Sequence, residues 1–562
     1  MNLNKPVEQI LFENGKIDKK QLSQVESAKA KTGERAETLL MKQKLATEED
    51  IAEAVSEEIG IPFIDLKNFI IDPAVLNAFD EKAARRLEVL PLYVIRDTLT
   101  VAMADPQNVL ARDEVKLVSD YKSVQVVMGT RSAVLEGIDQ NYRLGNTLSD
   151  IIRPLEKSGI VYAPADGVTP HMLATLAGEP PVVKFVNQMI FDALKERASD
   201  IHIEPLQDTV RVRFRVDGVL QAAVSVSKKI HLPIVPRLKI LAGVDIAVNR
   251  KPQDGRFTVS VAGREIDLRV AFFPMAYGEN VTLRLLDKAT AIMDIEELGF
   301  TKDMAKKFRK LTRSPHGIIL VTGPTGSGKT STLYAVLNKI SSPEKNILTI
   351  EDPIEYLIDN VNQAQVNLKI GLDFASALRS FLRQDPDAIM VGEIRDTETA
   401  DIAFRAALTG HLVLSTLHTN DAPTVITRLK DLEVDRSLMS SSMIGAVAQR
   451  LVRIVCHECK EEYQPDKTLF EDYNVKFDPG TKFYRGRGCE ECSSTGYRGR
   501  IGIFELLIFT EKIRLLIQKD APLEEIRQLA TEEGMRTLLE DGVEKVKQGI
   551  TTIEEVVRVT QD

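Results

Sequence analysis

Gly323-Pro324-Thr325-Gly326-Ser327-Gly328-Lys329-Thr330 fits the phosphate-binding pattern G-x-x-x-x-G-K-[ST] at every position. The run Gly317-Ile318-Ile319-Leu320-Val321-Thr322 before it reads as a buried strand, and Ser331 to Ile340 reads as a helix. Strand, glycine loop and helix in that order turn backbone N–H groups toward phosphate oxygens at the positive end of a helix dipole. Lys329 is expected to reach the β- and γ-phosphates, and Thr330 to help hold Mg²⁺. Gly323 to Thr330, with Ser331 behind them and Glu351 further along, are the expected nucleoside-triphosphate contacts.

Three further motifs follow. Ile347-Leu348-Thr349 leads into Ile350-Glu351-Asp352-Pro353-Ile354-Glu355, where Glu351 and Glu355 are placed for metal-shell work or for orienting an attacking water. In Ala388-Ile389-Met390-Val391-Gly392-Glu393 an apolar strand ends in an acid, so Glu393 is the candidate for the Mg²⁺ shell. Thr409-Gly410-His411-Leu412-Val413-Leu414-Ser415-Thr416-Leu417-His418 brackets a strand-like run with two of the chain's seven histidines, which suggests a sensor pair.

The chain has 562 residues, room for roughly three to five domains, with 43% hydrophobic residues, enough for globular cores. A net charge of −9 and the lack of a basic stripe argue against nucleic acid as partner or translocated cargo. No apolar run is long enough to span a bilayer, and the first residues carry no signal-peptide core, so a cytoplasmic protein is expected, with membrane contact through partners. The four cysteines form two C-x-x-C pairs, Cys456/Cys459 and Cys489/Cys492. In a reducing compartment they suggest a structural Zn²⁺ held by four thiolates, disulfides being the alternative.

Residues 1–62 read as a tandem repeat of helical hairpins, with Asp18 and Thr47 as N-caps 29 positions apart. Residues 63–145 read as a small α+β module, 146–181 as a proline-rich linker, and 182–288 as a second α+β region. In that region Val210-Arg211-Val212-Arg213-Phe214-Arg215-Val216 alternates strictly, and Asp217-Gly218 supplies a hairpin turn. Arg269 and Arg284 lie on two further strand-like runs. The P-loop domain is expected over 298–450, the cysteine segment over 451–505, and a helical C-terminal region over 506–562.

The four P-loop-region motifs, with Arg197-Ala198-Ser199-Asp200-Ile201-His202-Ile203-Glu204-Pro205, Lys251-Pro252-Gln253-Asp254-Gly255-Arg256 and Gly488-Cys489-Glu490-Glu491-Cys492, resemble the type II/type IV secretion ATPase superfamily. The cysteines and the long N-terminal extension look like its pilus-extension and type II secretion branch. The resemblance implies a multidomain α/β fold: a RecA-like P-loop ATPase core preceded by a PAS-like α+β domain, with helical and α+β N-terminal modules and a C-terminal zinc-binding and helical region. It implies a homohexameric ATPase using ATP and Mg²⁺, with its site between the 182–288 region and the P-loop domain. Glu355 would be the general base and Glu393 the Walker B acid; His411 and His418 would form a histidine box, and Arg269 and Arg284 would act as arginine fingers. The output would be type IV pilus assembly through an inner-membrane platform protein, with the type II secretion ATPase, or a nucleotide-gated scaffold of little turnover, as alternatives. The N-terminal repeat is similar to a tandem cyclic-di-GMP-binding module. That module opens each half with Arg-Leu-Gly, whereas Val7-Glu8-Gln9 and Arg35-Ala36-Glu37 stand here. Docking of a cytoplasmic or membrane assembly partner is therefore expected in place of dinucleotide binding.

Overall fold

The computed structural model describes residues 5–119, 121–142, 148, 151, 169–287, 293–466, 468, 470, 473, 475, 477 and 480–561. They fall into two compact units, Met1–Ala289 and Thr290–Asp562.

The first unit opens with four helices, Val7–Glu13, Lys19–Thr32, Ala36–Lys42 and Glu48–Ile59. Asp18 and Thr47 cap the second and fourth, each through a reciprocal capping box, with Gln21 and Asp50 respectively. Next come β1 (Phe69–Ile70), β2 (Val89–Ile95), β3 (Thr98–Met103) and β4 (Ser123–Met128). The last three form a small sheet in which β2–β3 is antiparallel and β3–β4 parallel. β1 does not join it. It pairs in parallel with β8 of the following sheet, Phe69 opposite Ser260 and Ile70 opposite Val261. A boundary drawn at 63 and 145 therefore cuts across a strand exchange.

The larger sheet consists of β1 with β5 (Ala198–Pro205), β6 (Thr209–Val216), β7 (Val219–Ser227), β8 (Gln253–Val261), β9 (Arg264–Met275) and β10 (Gly278–Asp287), in the order β1-β8-β9-β10-β5-β6-β7. Asp217 and Gly218 both take positive φ, 49° and 85°, in the β6–β7 turn. Helices Pro180–Lys195 and His231–Ala242 bury Phe185, Val186, Met189, Ile234 and Leu238 against this sheet. Of the expected linker 146–181, residues 146–147, 149–150 and 152–168 lie outside the described residues. The remainder from 169 corrects the linker reading, because Pro170–Ala177 and the start of Pro180–Lys195 are helical. Their prolines occupy the first turn, where the missing N–H has no intrahelical acceptor to lose.

The second unit is built on β11 (Gly317–Thr322), β12 (Ile347–Glu351), β13 (Asn362–Gln365), β14 (Ala388–Val391), β15 (Leu412–Leu417) and β16 (Met443–Val455), followed by β17 (Lys460–Tyr463), β18 (Phe483–Gly486) and β19 (Tyr497–Ile508). The main sheet runs β13-β12-β14-β15-β11-β16-β19, parallel throughout except for β19. β11, β12, β14 and β15 are buried along their whole length, as expected of strands covered on both faces. The expected boundaries at 450 and 505 fall inside β16 and β19. The cysteine segment is thus an insertion between two paired strands, and β17–β18 form a small ladder within it. Helices Glu511–Gln518, Leu523–Glu532, Leu538–Lys547 and Ile553–Thr560 contribute Ile513, Ile526, Val546 and Val556 to the core that holds Ile318, Val391 and Leu417. They belong to the second unit and are not an appended tail. Among the described residues no helix is long and apolar enough to cross a membrane.

Candidate functional site

β11 delivers the chain to the glycine loop, and helix Lys329–Ile340 leaves it. Gly323 and Gly328 have φ of 147° and 90°. A Cβ on Gly323 would lie 2.5 Å from the Gln449 carbonyl oxygen, and one on Gly328 would lie 2.8 Å from Gln449 Nε2. Only glycine fits at either position. Ser327 Oγ is buried with no hydrogen-bond partner among the described residues. A buried hydroxyl next to the first-turn amides of a helix is a donor set suited to a phosphate, so the loop fits the group its sequence implies.

Lys329 Nζ donates to the carbonyl oxygens of Gly323 at 2.6 Å and Pro324 at 3.2 Å. Burial pushes its pKa down to about 8; nearby Arg450 pushes the same way and Glu393 opposes. Glu393 follows β14, forms an ion pair with Arg395, and lies 3.6 Å from His418 Nε2. Burial and Lys329 lower the His418 pKa against the pull of Glu393, which keeps the imidazole neutral at neutral pH. The loop after β14 is tied to β15: Thr416 Oγ1 donates to Gly392 O at 2.7 Å, and Ile394 N donates to Thr416 O at 3.1 Å. Lys329, Glu393 and His418 thus converge beside exposed Thr330 at the mouth of the P-loop.

The expected histidine pair does not assemble within the chain. His411 and His418 bracket β15, so a strand separates them by on the order of 20 Å. His411 Nδ1 lies 2.9 Å from Ala406 O, at the end of the strand away from the P-loop. Glu351 also differs from the expected nucleotide contact. It is 3% exposed. Its carboxylate accepts from Thr349 Oγ1 at 2.6 Å, Gln363 Nε2 at 3.0 Å and the Tyr334 hydroxyl. That hydroxyl also accepts the Glu355 backbone N–H at 3.2 Å. Glu351 therefore anchors Tyr334 on the P-loop helix, and Tyr334 holds the Glu355 loop.

Arg269 and Arg284 stand opposite one another on β9 and β10. The register continues on both sides: Arg256 faces Arg269, Asp200 faces Arg284, and Arg215 faces Asp200. The row on one sheet face is Arg256-Arg269-Arg284-Asp200-Arg215, with Arg284 Nε 3.1 Å and Arg215 Nε 3.7 Å from Asp200. Arg211 and Arg213 instead share Glu204, at 2.8 Å and 2.5 Å. Sequence reasoning missed Arg256 as a member of the row, and also missed Tyr334, Gln449 and Arg450. The last two were signalled by polar residues interrupting an otherwise apolar strand from Met443 to Val452.

The cysteines converge. The Sγ atoms of Cys456, Cys459, Cys489 and Cys492 all lie within 4.8 Å of one another, with pairs at 3.8, 3.8 and 3.7 Å. A tetrahedron with Zn–S bonds of about 2.3 Å has an edge of about 3.8 Å. Cys489 N and Gly496 N point at Cys492 Sγ at 3.2 and 3.3 Å. Although burial raises its pKa, these amides help draw that thiol down to about 7, toward the thiolate a metal requires. The donor set fits a closed four-sulfur Zn²⁺ site.

The type II/IV secretion system protein family matches residues 175–558, and an MshEN domain matches residues 59–147. The latter match lies C-terminal to nearly all of the 1–62 repeat that had looked like a dinucleotide module. The type IV pilus assembly ATPase PilB of Thermus thermophilus is 42% identical over 534 residues, 94% of this chain; the chain spans 59% of that relative's length. The type II secretion system protein E of Xanthomonas campestris is 41% identical over 559 residues, 98% of each chain. The solved ATPase DotB of Yersinia pseudotuberculosis shares the fold at a TM-score of 0.51 and 22% identity, covering 67% of this chain and 93% of that one. With a P-loop that converges on Glu393 and His418, and a family match over most of its length, this chain belongs to the type II/IV secretion system protein family.

Proposed function

We propose that this protein is a hexameric motor ATPase that powers type IV pilus assembly. The observation that carries the reading is the convergence of Lys329, Glu393 and His418 at a glycine loop shaped for phosphate. In the reading, Lys329 and the loop amides hold the β- and γ-phosphates. Thr330 and Glu393 hold Mg²⁺, which supplies charge neutralisation at the transferring phosphoryl group. Glu355 orients and deprotonates the attacking water. His418 lies close enough to Glu393 to register the γ-phosphate; His411 is given no part within its own chain. Arg269 and Arg284, with Arg256 beside them, serve as arginine fingers that supply positive charge to the transferring phosphoryl group. Loss of the γ-phosphate removes the group these residues hold, and the conformational change that follows performs work on a platform protein of the inner membrane.

Zn²⁺ at Cys456, Cys459, Cys489 and Cys492 has a structural part, since four thiolates leave no open position. The protein acts in the cytoplasm at the membrane face, with the N-terminal helices docking assembly partners. A second reading, the type II secretion ATPase, has support from the Xanthomonas relative, which matches over 98% of both lengths, as does the type IV pilus assembly ATPase PilB of Myxococcus xanthus at 40% identity. Steady-state phosphate release from wild type and Glu355→Gln tests the motor reading, and equal rates would sink it. Deleting the gene in its host separates the two outputs: lost surface pili support the first reading, and lost secretion with pili intact supports the second.

A further inference from the structure

His418 stands on a loop, Thr419-Asn420-Asp421-Ala422, that the C-terminal half of the unit holds from behind. Glu505, on β19 and 2% exposed, accepts the Ala422 N–H at 2.8 Å. Asp421, one residue earlier, accepts the Thr424 N–H at 2.8 Å and pairs with Arg527 at 2.9 Å. Arg450 donates to Asn420 O at 3.1 Å, and Thr322 Oγ1, at the root of the P-loop, accepts the Thr419 N–H at 2.8 Å. Every residue of the loop is thus anchored. Two of the anchors, Glu505 and Arg527, come from β19 and from helix Leu523–Glu532, beyond the cysteine insertion.

We infer that Glu505 and Arg527 are positioning residues for hydrolysis, setting through the Thr419–Ala422 loop where the His418 imidazole stands against Glu393. The geometry gives the direction of effect. The Ala422 amide donates to a buried carboxylate, and a glutamine there offers one acceptor oxygen on an uncharged group, so the charge-assisted anchor of the loop is weakened. Burial lifts the Glu505 pKa to about 7, with the Ala422 N–H opposing, Asp421 adding to the rise, and Arg527 opposing it. Below that pH the protonated group keeps its carbonyl acceptor but turns one oxygen into a donor. The Ala422 anchor is therefore charge-assisted only as pH rises past neutrality. The inference rests on the proposed part of His418 at the γ-phosphate.

The test is a double-mutant cycle on the full-length protein, with ATP and Mg²⁺ as substrate. Glu505→Gln is expected to lower kcat about tenfold, the scale on which a small displacement of a site group acts. ATP affinity, measured separately by equilibrium binding, should move less than about twofold, because the P-loop binds the phosphates. The rise of kcat through neutral pH should flatten. In a His418→Ala background the same substitution should cost nothing further. Arg527→Gln should follow the same pattern with a smaller loss. An equal fold-loss in both backgrounds, or a lower melting temperature with an unaltered pH profile, would reduce Glu505 to a structural part and overturn the inference. If His418→Ala hydrolyses at the wild-type rate, the reading of His418 fails and takes the inference with it. If His418→Ala is slow while Glu505→Gln is not, only the inference fails.

Discussion

The backbone N–H of Glu355 donates to the phenol oxygen of Tyr334 at 3.2 Å, and Tyr334 stands on the helix that leaves the P-loop. Displacement of that helix is thus passed directly to the loop of the proposed general base. Tyr334→Phe removes the acceptor for Glu355 and the donor to buried Glu351 together. A stability loss of about 1–3 kcal/mol is expected. Phosphate release should slow about tenfold with ATP affinity nearly unchanged. Denaturant titration and steady-state kinetics check both numbers, and an unaltered kcat would remove Tyr334 from the path.

Lys329 must be protonated to hold phosphate, and in the free protein its pKa lies near 8. ATP affinity should therefore weaken as pH rises through about 8, by up to tenfold for each further pH unit, since the uncharged amine is the form burial favours. Equilibrium binding between pH 7 and 10 follows the loss. Lys329→Ala should bind ATP weakly at every pH in that range.

Metal analysis should find about one zinc for each chain. Cys489→Ser should release it and destabilise the β16–β19 end of the unit, seen as faster amide exchange in the β17–β18 ladder. A metal-free wild-type protein with unchanged exchange would leave the four thiols without a purpose.

Glu555 is expected to mark the acid limit of the C-terminal helices. Burial raises its pKa, but hydrogen bonds and charge from Arg453 and Arg558 outweigh that, so it settles at about 2, below its ordinary value of 4.5. A carboxylate whose pKa is depressed on folding stabilises the fold fully above its unfolded pKa. That contribution is lost as pH falls from about 4.5 to about 2. Glu555→Gln should therefore be less stable than wild type at pH 7, and the difference should close across that window. Melting curves from pH 7 to 2 check the sign.

Local chemistry was legible in the sequence. The glycine loop with its flanking strand and helix, the caps at Asp18 and Thr47, the Asp217-Gly218 turn and the cysteine pairs each depend on neighbouring residues. What escaped depends on partners far along the chain. Nothing near Phe69 announces that it pairs with Ser260, and nothing near Tyr497 announces an antiparallel edge beside β16. His411 looked like a partner of His418 because spacing along a strand does not say which end meets the P-loop. Glu351 looked like a nucleotide contact because a strand-end acid is exposed in most settings, whereas Tyr334, Thr349 and Gln363 bury it here. The arginine row was half visible, since alternation gives the face of each strand and only register aligns Arg256 with Arg269 and Arg284.

The cysteine insertion also bears on the order in which the chain assembles. β16 ends at Val455 and its partner β19 begins at Tyr497, so this pairing closes a long loop. Cys456 is the next residue after β16, and Cys489 and Cys492 lie just ahead of β19. A metal that gathers these thiolates joins the two strand ends at their root and shortens the loop to a few residues before any ladder bond forms. Loop closure is the slow, entropic part of such a pairing. A metal bound there would bring the sheet edge together early and give the helices that anchor the His418 loop a surface on which to fold.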